Sequence, residues 1–362
     1  MPVADAGAEE AAADAGTQVE GFRVHAYEFL SRETFPHGGQ VTGLSESGIV
    51  SGYAYSSESH RQNWIVRPPE GEVEAWDWAN MKPSTVLSLQ SDGTYCGSAS
   101  WPEPELGGFS GTAIIGSGSS GERLLPDPVS SSCHGRNESG VTIGAWKGGF
   151  LRWADGEMVS FDFFPHPTRP GQFIYAVGRD INEYSHVVGS VQHGQSLGEG
   201  NPAGFFWSKE TGPRLLKSHK RKVATSAIND HGVMVGASRD GQDNDVAAVW
   251  DSFEAEPRYL PSPGDWFLVR PEDINNAGLI VGSGLDEQNI RRGLVWWKDK
   301  VYLADELVGD QLSSSADWYW IERLDFVNDE GRIAGIVREE WREDGAQVVR
   351  RRPIVIDVLQ LP

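Results

Sequence analysis

Three observations predict an all-β protein, a seven-bladed β-propeller closed by an N-terminal strand in its last blade. One short pattern recurs seven times at a period of about 46 residues. No helical periodicity separates the copies. The last copy stops after its third strand, while residues 22–30 (FRVHAYEFL) read as a strand ahead of the first copy. A period of this size marks one small sheet per repeat, which cannot bury its own faces and must pack on its neighbours.

The repeat is a polar anchor followed by glycine three and seven positions later: LSESGIVSG, LQSDGTYCG, RNESGVTIG, INEYSHVVG, INDHGVMVG, INNAGLIVG and VNDEGRIAG. The anchors are Ser45, Gln90, Asn137, Asn182, Asn229, Asn275 and Asn328, spaced 45, 47, 45, 47, 46 and 53 residues apart. The second glycine is present in every copy, and the first is replaced only once, by Ser185. An Asn-x-x-Gly turn puts residues at positive φ with little strain, so each copy predicts a hairpin. Adjacent apolar residues after the turn, such as Val187-Val188 and Ile280-Val281, predict a second strand buried on both faces. Phe205-Phe206-Trp207, Ala248-Val249-Trp250 and Leu294-Val295-Trp296 supply third strands, and Arg214-Leu215-Leu216, Arg258-Tyr259-Leu260 and Val301-Tyr302-Leu303 supply fourth ones. A linear solenoid would need polar caps at both ends. An N-terminal strand that completes the last blade removes those edges, and the closed ring is the expected form.

Composition limits the rest. The chain has 362 residues, 31 Lys+Arg against 52 Asp+Glu, and a formal net charge of -21. Such a chain repels phosphate backbones, which argues against nucleic acid as a partner. At 39% hydrophobic and 10% aromatic it supplies a real core. Two cysteines, Cys96 and Cys133, are too few for a disulfide framework or a structural zinc site. They lie in neighbouring blades and either face each other across the seam or point apart. No run of 18 apolar residues predicts a membrane span. Residues 1–21 read as a disordered, acidic, Ala-rich tail without the basic and apolar regions of a signal peptide, and residues 22–362 as a single propeller domain.

The segment Ser226-Ala227-Ile228-Asn229-Asp230-His231-Gly232-Val233-Met234-Val235-Gly236, followed by an apolar-Trp strand, resembles the bacterial HAF-type repeat proteins. The resemblance covers residues 22–362. No His-Ala-Phe occurs in a third strand, and Gly204-Phe205-Phe206-Trp207 is the nearest approach. It implies an extracellular or envelope protein of largely unassigned activity, and it offers no catalytic residue to carry over.

Local motifs carry little chemistry. Gly116-Ser117-Gly118-Ser119-Ser120-Gly121 satisfies G-x-G-x-x-G but precedes a short strand instead of opening a helix, so it reads as a turn. Asp240–Asp245 lacks calcium-loop spacing. No cofactor motif or metal site is expected. The topology points elsewhere. Loops entering each innermost strand, and those joining second and third strands, share one face of the ring, here called the upper face; the Asn-x-x-Gly turns share the lower one. Trp64, Trp76, Trp153, Trp207, Trp250, Trp296 and Trp297 are expected as packing, whereas Trp78, Trp101, Trp146, Trp266, Trp318, Trp320 and Trp341 are expected in upper-face connections.

Counting back from the anchors places Gln40, His134, Arg179, Arg270, Glu272, Arg323 and Asp325 near the central channel. Salt-bridged layers that close the ring are one expectation for these residues. A polar ligand pocket is the other, in which Arg270 and Arg323 grip a carboxylate or phosphate. The basic segments Lys217–Lys222, Arg291-Arg292 and Arg350–Arg352 fall on the same face. The favoured reading is a monomeric binding or recognition propeller for a small molecule, peptide or glycan, with Arg179, Arg270, Glu272, Arg323, Asp325, Trp266, Trp318, Trp320 and Trp341 at its ligand face. The alternative is a lyase, cyclase or hydrolase acting there on an anionic or carbonyl-bearing substrate with His37, His134 or His166 as acid or base.

Overall fold

The structure is a computed structural model that describes residues 19, 21–27, 29–30, 35–57, 60–69, 71–76, 84–103, 108–124, 131–146, 149–154, 157–161, 164–165, 173–192, 203–218, 223–239, 245–312 and 316–362. Apart from positions 19 and 21, the expected N-terminal tail lies outside them. Seven antiparallel sheets follow one another along the chain, each with its innermost strand first. The innermost strands are Gly39–Leu44, Ser84–Leu89, Ser131–Arg136, Phe173–Ile181, Ala224–Ile228, Phe267–Ile274 and Trp318–Val327. The chain is a seven-bladed β-propeller.

The seventh blade is completed by Arg23–Tyr27, which pairs antiparallel with the final strand Ala346–Gln360, Val24 opposite Val358 and Tyr27 opposite Val355. Two features depart from the repeat. The fourth blade gains a two-residue strand, Phe164–Pro165. The long 53-residue spacing between the last two anchors is taken up by a short helix, Ala304–Val308, and a 3-10 turn, Gly309–Gln311. The Gln311 side chain then pairs with the backbone of the N-terminal strand: its Oε1 accepts from the Ala26 amide at 3.0 Å and its amide donates to the Val24 carbonyl at 3.1 Å.

The two repeat glycines have separate physical causes. The first sits at positive φ in six turns, from 76° at Gly232 to 85° at Gly93 and Gly278, and Ser185 takes the same conformation at 60°. The second answers a β-bulge. In every blade the innermost strand carries an extra residue three positions before the anchor, which no residue of the second strand opposes: Thr42, Leu87, His134, Arg179, Ser226, Glu272 and Asp325; the sixth and seventh blades have a second register shift nearer the upper face. Beside each bulge, a Cβ on the second glycine would overlap the carbonyl oxygen of the residue twelve positions earlier, for example Ala224 for Gly236 and Arg270 for Gly282. Only glycine lets the two backbones approach this closely.

The anchors fasten blade to blade. Within its own turn, the Asn229 Oδ1 accepts from the Val233 amide at 3.0 Å, and equivalent bonds form at Asn137, Asn182, Asn275 and Asn328. Each side-chain amide then donates to the backbone carbonyl of the next anchor: Gln90 to Asn137, Asn137 to Asn182, Asn182 to Asn229, Asn229 to Asn275 and Asn275 to Asn328. Asn328 donates to the Ser45 carbonyl at 3.1 Å and closes the circle. Ser45 is too short to continue it, and Ser47, hydrogen-bonded to Ser45, reaches the Ser91 carbonyl instead. Aliphatic and aromatic side chains fill the seams between blades, with Trp64, Trp250 and Trp296 fully buried. Cys96 and Cys133 are bonded to each other across the seam between the second and third blades, with Cα atoms 5.9 Å apart.

Candidate functional site

A bulge re-aims the side chain of its extra residue. Here the seven bulge residues form the waist of the central channel. Leu87, His134, Arg179, Ser226, Glu272 and Asp325 line both a large upper cavity of about 1070 Å³ and a smaller lower one of about 300 Å³. Thr42 lines the upper one only.

The upper cavity also takes in Arg270, Ala224, Ser190, Ala237 and Ser238. Its charges are unevenly committed. Arg323 donates to Asp325 at 3.0 Å and to the Gln40 Oε1 at 2.5 Å, tying the seventh blade to the first. Arg179 and Arg270 make no ion pair or hydrogen bond with the described residues, and both are exposed to the channel. Burial, then the neighbouring Asp325 charge, raises the Glu272 carboxyl above its ordinary value against the pull of Arg270 and Arg323. Burial likewise raises Asp325 against the opposing Arg323. His134 is held by both ring nitrogens, Nε2 at 2.8 Å from the Ser132 hydroxyl and Nδ1 at 2.8 Å from the Gly178 carbonyl. Burial lowers its pKa, favouring the neutral ring.

The structure therefore brings His134, Arg179, Arg270, Glu272 and Asp325 together around one cavity. Gln40 and Arg323 serve as a bridge between blades. His37 is exposed in the turn before the first innermost strand and does not line the cavity. His166 and Trp78 lie outside the described residues, as do the side chains of Trp101 and Trp146. Trp101, Trp146, Trp318, Trp320 and Trp341 lie within strands, not connections, because the strands run further toward the upper face than the repeat suggests. Trp318 is 61% exposed beside Tyr319, while the Trp320 ring has the Arg292 and Arg338 guanidiniums over it at 5.4 and 5.6 Å and donates to the Arg291 carbonyl at 2.9 Å. Trp266 packs against the seam of the fifth and sixth blades. Phe267 and Leu268, which follow Trp266 in the chain, are exposed, the latter at φ 50°.

Much of the basic character read from the sequence is neutralised. Arg350 and Arg352 are buried against Glu339, and the partly exposed Arg351 pairs with Glu322 at 2.5 Å. Arg292 lies near Asp286 and Asp305. Sequence reasoning missed Thr42, Ser226 and Ser238. The first two hold the bulge position and were reachable by the same count that found Arg179; Ser238 belongs to a second strand and left no signal.

The lower face is acidic. Glu46, Glu138, Glu183, Asp230 and Asp329 each accept the backbone amide that follows the anchor of the preceding blade. Burial and mutual repulsion push Glu46 to about 7, even though it accepts the Asp329 amide. Asp180, which accepts the Ile228 amide of the next blade, is pushed to about 6 mainly by burial. Among the described residues no three or more His, Cys, Asp or Glu are placed to hold a metal ion, and no helix is long and apolar enough to cross a membrane.

Blades, bulges and channel together define a β-propeller with a charged central channel. No family model matches the chain, and no curated protein sequence matches it. Solved structures do. The β-propeller domain of the Trilobed protease from Pyrococcus furiosus superposes with a TM-score of 0.52 at 12% identity, over 86% of this chain and 95% of that one. The acylaminoacyl peptidase of Pyrococcus horikoshii gives 0.51 at 12% identity over 88% of this chain, and a prolyl endopeptidase 0.52 at 8% over 91%. This chain covers 53% and 52% of those two chains. At such identities the likeness is one of fold alone.

Proposed function

We propose that the chain is a non-catalytic ligand-binding propeller whose small-molecule site is the upper cavity of the central channel. The observation that carries this reading is a cavity of about 1070 Å³ in which Arg179 and Arg270 have no partner among the described residues. Cations whose only role was to close the ring would be paired, as Arg323 and Arg351 are. A binding role also agrees with His134, whose ring nitrogens are both engaged, leaving it poorly placed to take a substrate proton. The repeat pattern keeps its resemblance to the HAF-type proteins, which adds no chemistry.

The test is native mass spectrometry of the chain after incubation with a cell-extract metabolite pool, beside an Ala224→Trp variant. Ala224 is exposed on the channel wall, so a tryptophan there fills the cavity without entering the core. A bound mass retained by the wild type and lost in the variant is the expected result. Retention of the same mass by the variant, or its conversion to a new product, would overturn the reading.

A further inference from the structure

The fifth blade leaves a gap in the channel wall. At the two channel-facing positions of its innermost strand it presents Ala224 and Ser226, whereas the fourth blade presents Arg179 at the bulge and the sixth presents Arg270 two residues before its own bulge. The small side chains leave a bay between two cations. Ser238 lines the same cavity, is 1% exposed, and its hydroxyl has no hydrogen-bond partner among the described residues. A buried hydroxyl without a partner is unfavourable, and a ligand atom in the bay would satisfy it.

We propose that this bay is an oxyanion site that takes the carboxylate or phosphate group of a small organic ligand, gripped by Arg179 and Arg270 over the Ser226 and Ser238 hydroxyls. The inference rests on the channel-binding reading and adds its ligand chemistry. It also moves the grip from the Arg270–Arg323 pair expected from sequence to Arg179–Arg270, because Arg323 is already committed to Asp325 and Gln40. The carboxylates of the cavity are engaged elsewhere or shifted by burial: Asp325 is matched by Arg323, Asp245 pairs with Arg239 at 3.1 Å, and burial raises the Glu272 carboxyl above its ordinary value against the pull of Arg270. Guanidiniums suit this task because their forked donors match the oxygen pairs of both anion types.

Calorimetric titrations with inorganic phosphate and with citrate, at constant ionic strength, test the site and separate the two anion classes. The wild type should bind at least one of them saturably below about 20 mM. The Arg179→Ala/Arg270→Ala double variant should weaken that binding at least tenfold, since it removes both guanidinium donors from the anion. Ala224→Glu, which places a negative charge in the bay, should abolish it. A Lys217→Ala/Arg258→Ala control removes two exposed cations away from the channel and should change it less than twofold. Unaltered circular dichroism and melting of each variant keep loss of fold from imitating loss of site. No saturable binding of either anion, or equal binding by the double variant, would overturn the proposal. A neutral ligand that Ala224→Trp excludes but Arg179→Ala/Arg270→Ala still retains would leave the channel reading standing and remove the oxyanion site.

Discussion

Replacing Asn229 by alanine tests whether the repeated anchor holds the ring together. The side chain is 6% exposed and makes three bonds: Oδ1 accepts from the His231 and Val233 amides at 3.1 and 3.0 Å, and Nδ2 donates to the Asn275 carbonyl of the next blade at 3.0 Å. The Asn275 carbonyl keeps a second partner, the Gly278 amide, so its loss is partial. The Val233 amide loses its side-chain acceptor in a half-buried turn. At roughly 1–3 kcal/mol for each group left short of a partner, the sum is about 2–4 kcal/mol. The unfolding entropy of about 2.1 cal/mol/K per residue, over roughly 340 residues, converts this to a melting-point drop of about 3–6 °C. Asn229→Asp discriminates further. It keeps the acceptor half but sets a carboxylate oxygen against the Asn275 carbonyl, so at neutral pH it should be at least as unstable as the alanine variant. Acidification should restore part of the loss, because only the protonated acid can donate to that carbonyl. Calorimetry and urea titration followed by tryptophan fluorescence read both effects. An alanine variant within about 0.5 kcal/mol of wild type, or an aspartate variant more stable than it at pH 7.5, would refute the stapling role.

Gly236→Ala should cost several kcal/mol or abolish soluble expression, since its Cβ would overlap the Ala224 carbonyl; Gly232→Ala, at φ 76° with open space around it, should cost only about 1 kcal/mol. The unfolded, unreduced chain should show no free thiol. Reduction should remove about 4 kcal/mol by chain-entropy reckoning for a separation of 37 residues, read as a lower urea midpoint. Glu46, held at about 7, favours folding in its protonated form, so its contribution is complete below its unfolded value near 4.5 and is lost as pH rises through 7. Asp180, raised to about 6, acts in the same direction. Stability should therefore fall between pH 5 and pH 8, and Glu46→Gln should flatten that slope in pH-dependent melting curves.

The blades were legible because their constraints are local. A turn that needs positive φ and a bulge that admits no Cβ each act within a dozen residues, so they print glycines at fixed offsets, and Ser185 shows the tolerance of the first by taking φ 60° itself. The N-terminal strand was legible because the seventh copy lacked a fourth. The state of each channel charge was not. Arg323 meets Gln40 across 283 positions, and Arg352 and Glu339 pair inside a hairpin whose length no repeat predicts. Nothing local separates those arginines from Arg179 and Arg270. The tryptophans misled for a related reason: the pattern marks where strands begin at the lower face, but nothing in it marks how far they extend at the upper one.

The bulge gives each blade a single letter to write on the channel wall. Thr, Leu, His, Arg, Ser, Glu and Asp make up the present seven-letter word. Among the described residues Thr42, Leu87, Arg179, Ser226 and Glu272 carry no hydrogen bond to the lower-face fastening, whereas His134 and Asp325 also help to join neighbouring blades. The channel is thus a rewritable surface, with at most about 10⁹ spellings over seven positions on one frame, and its chemistry can change without the fold having to be solved again.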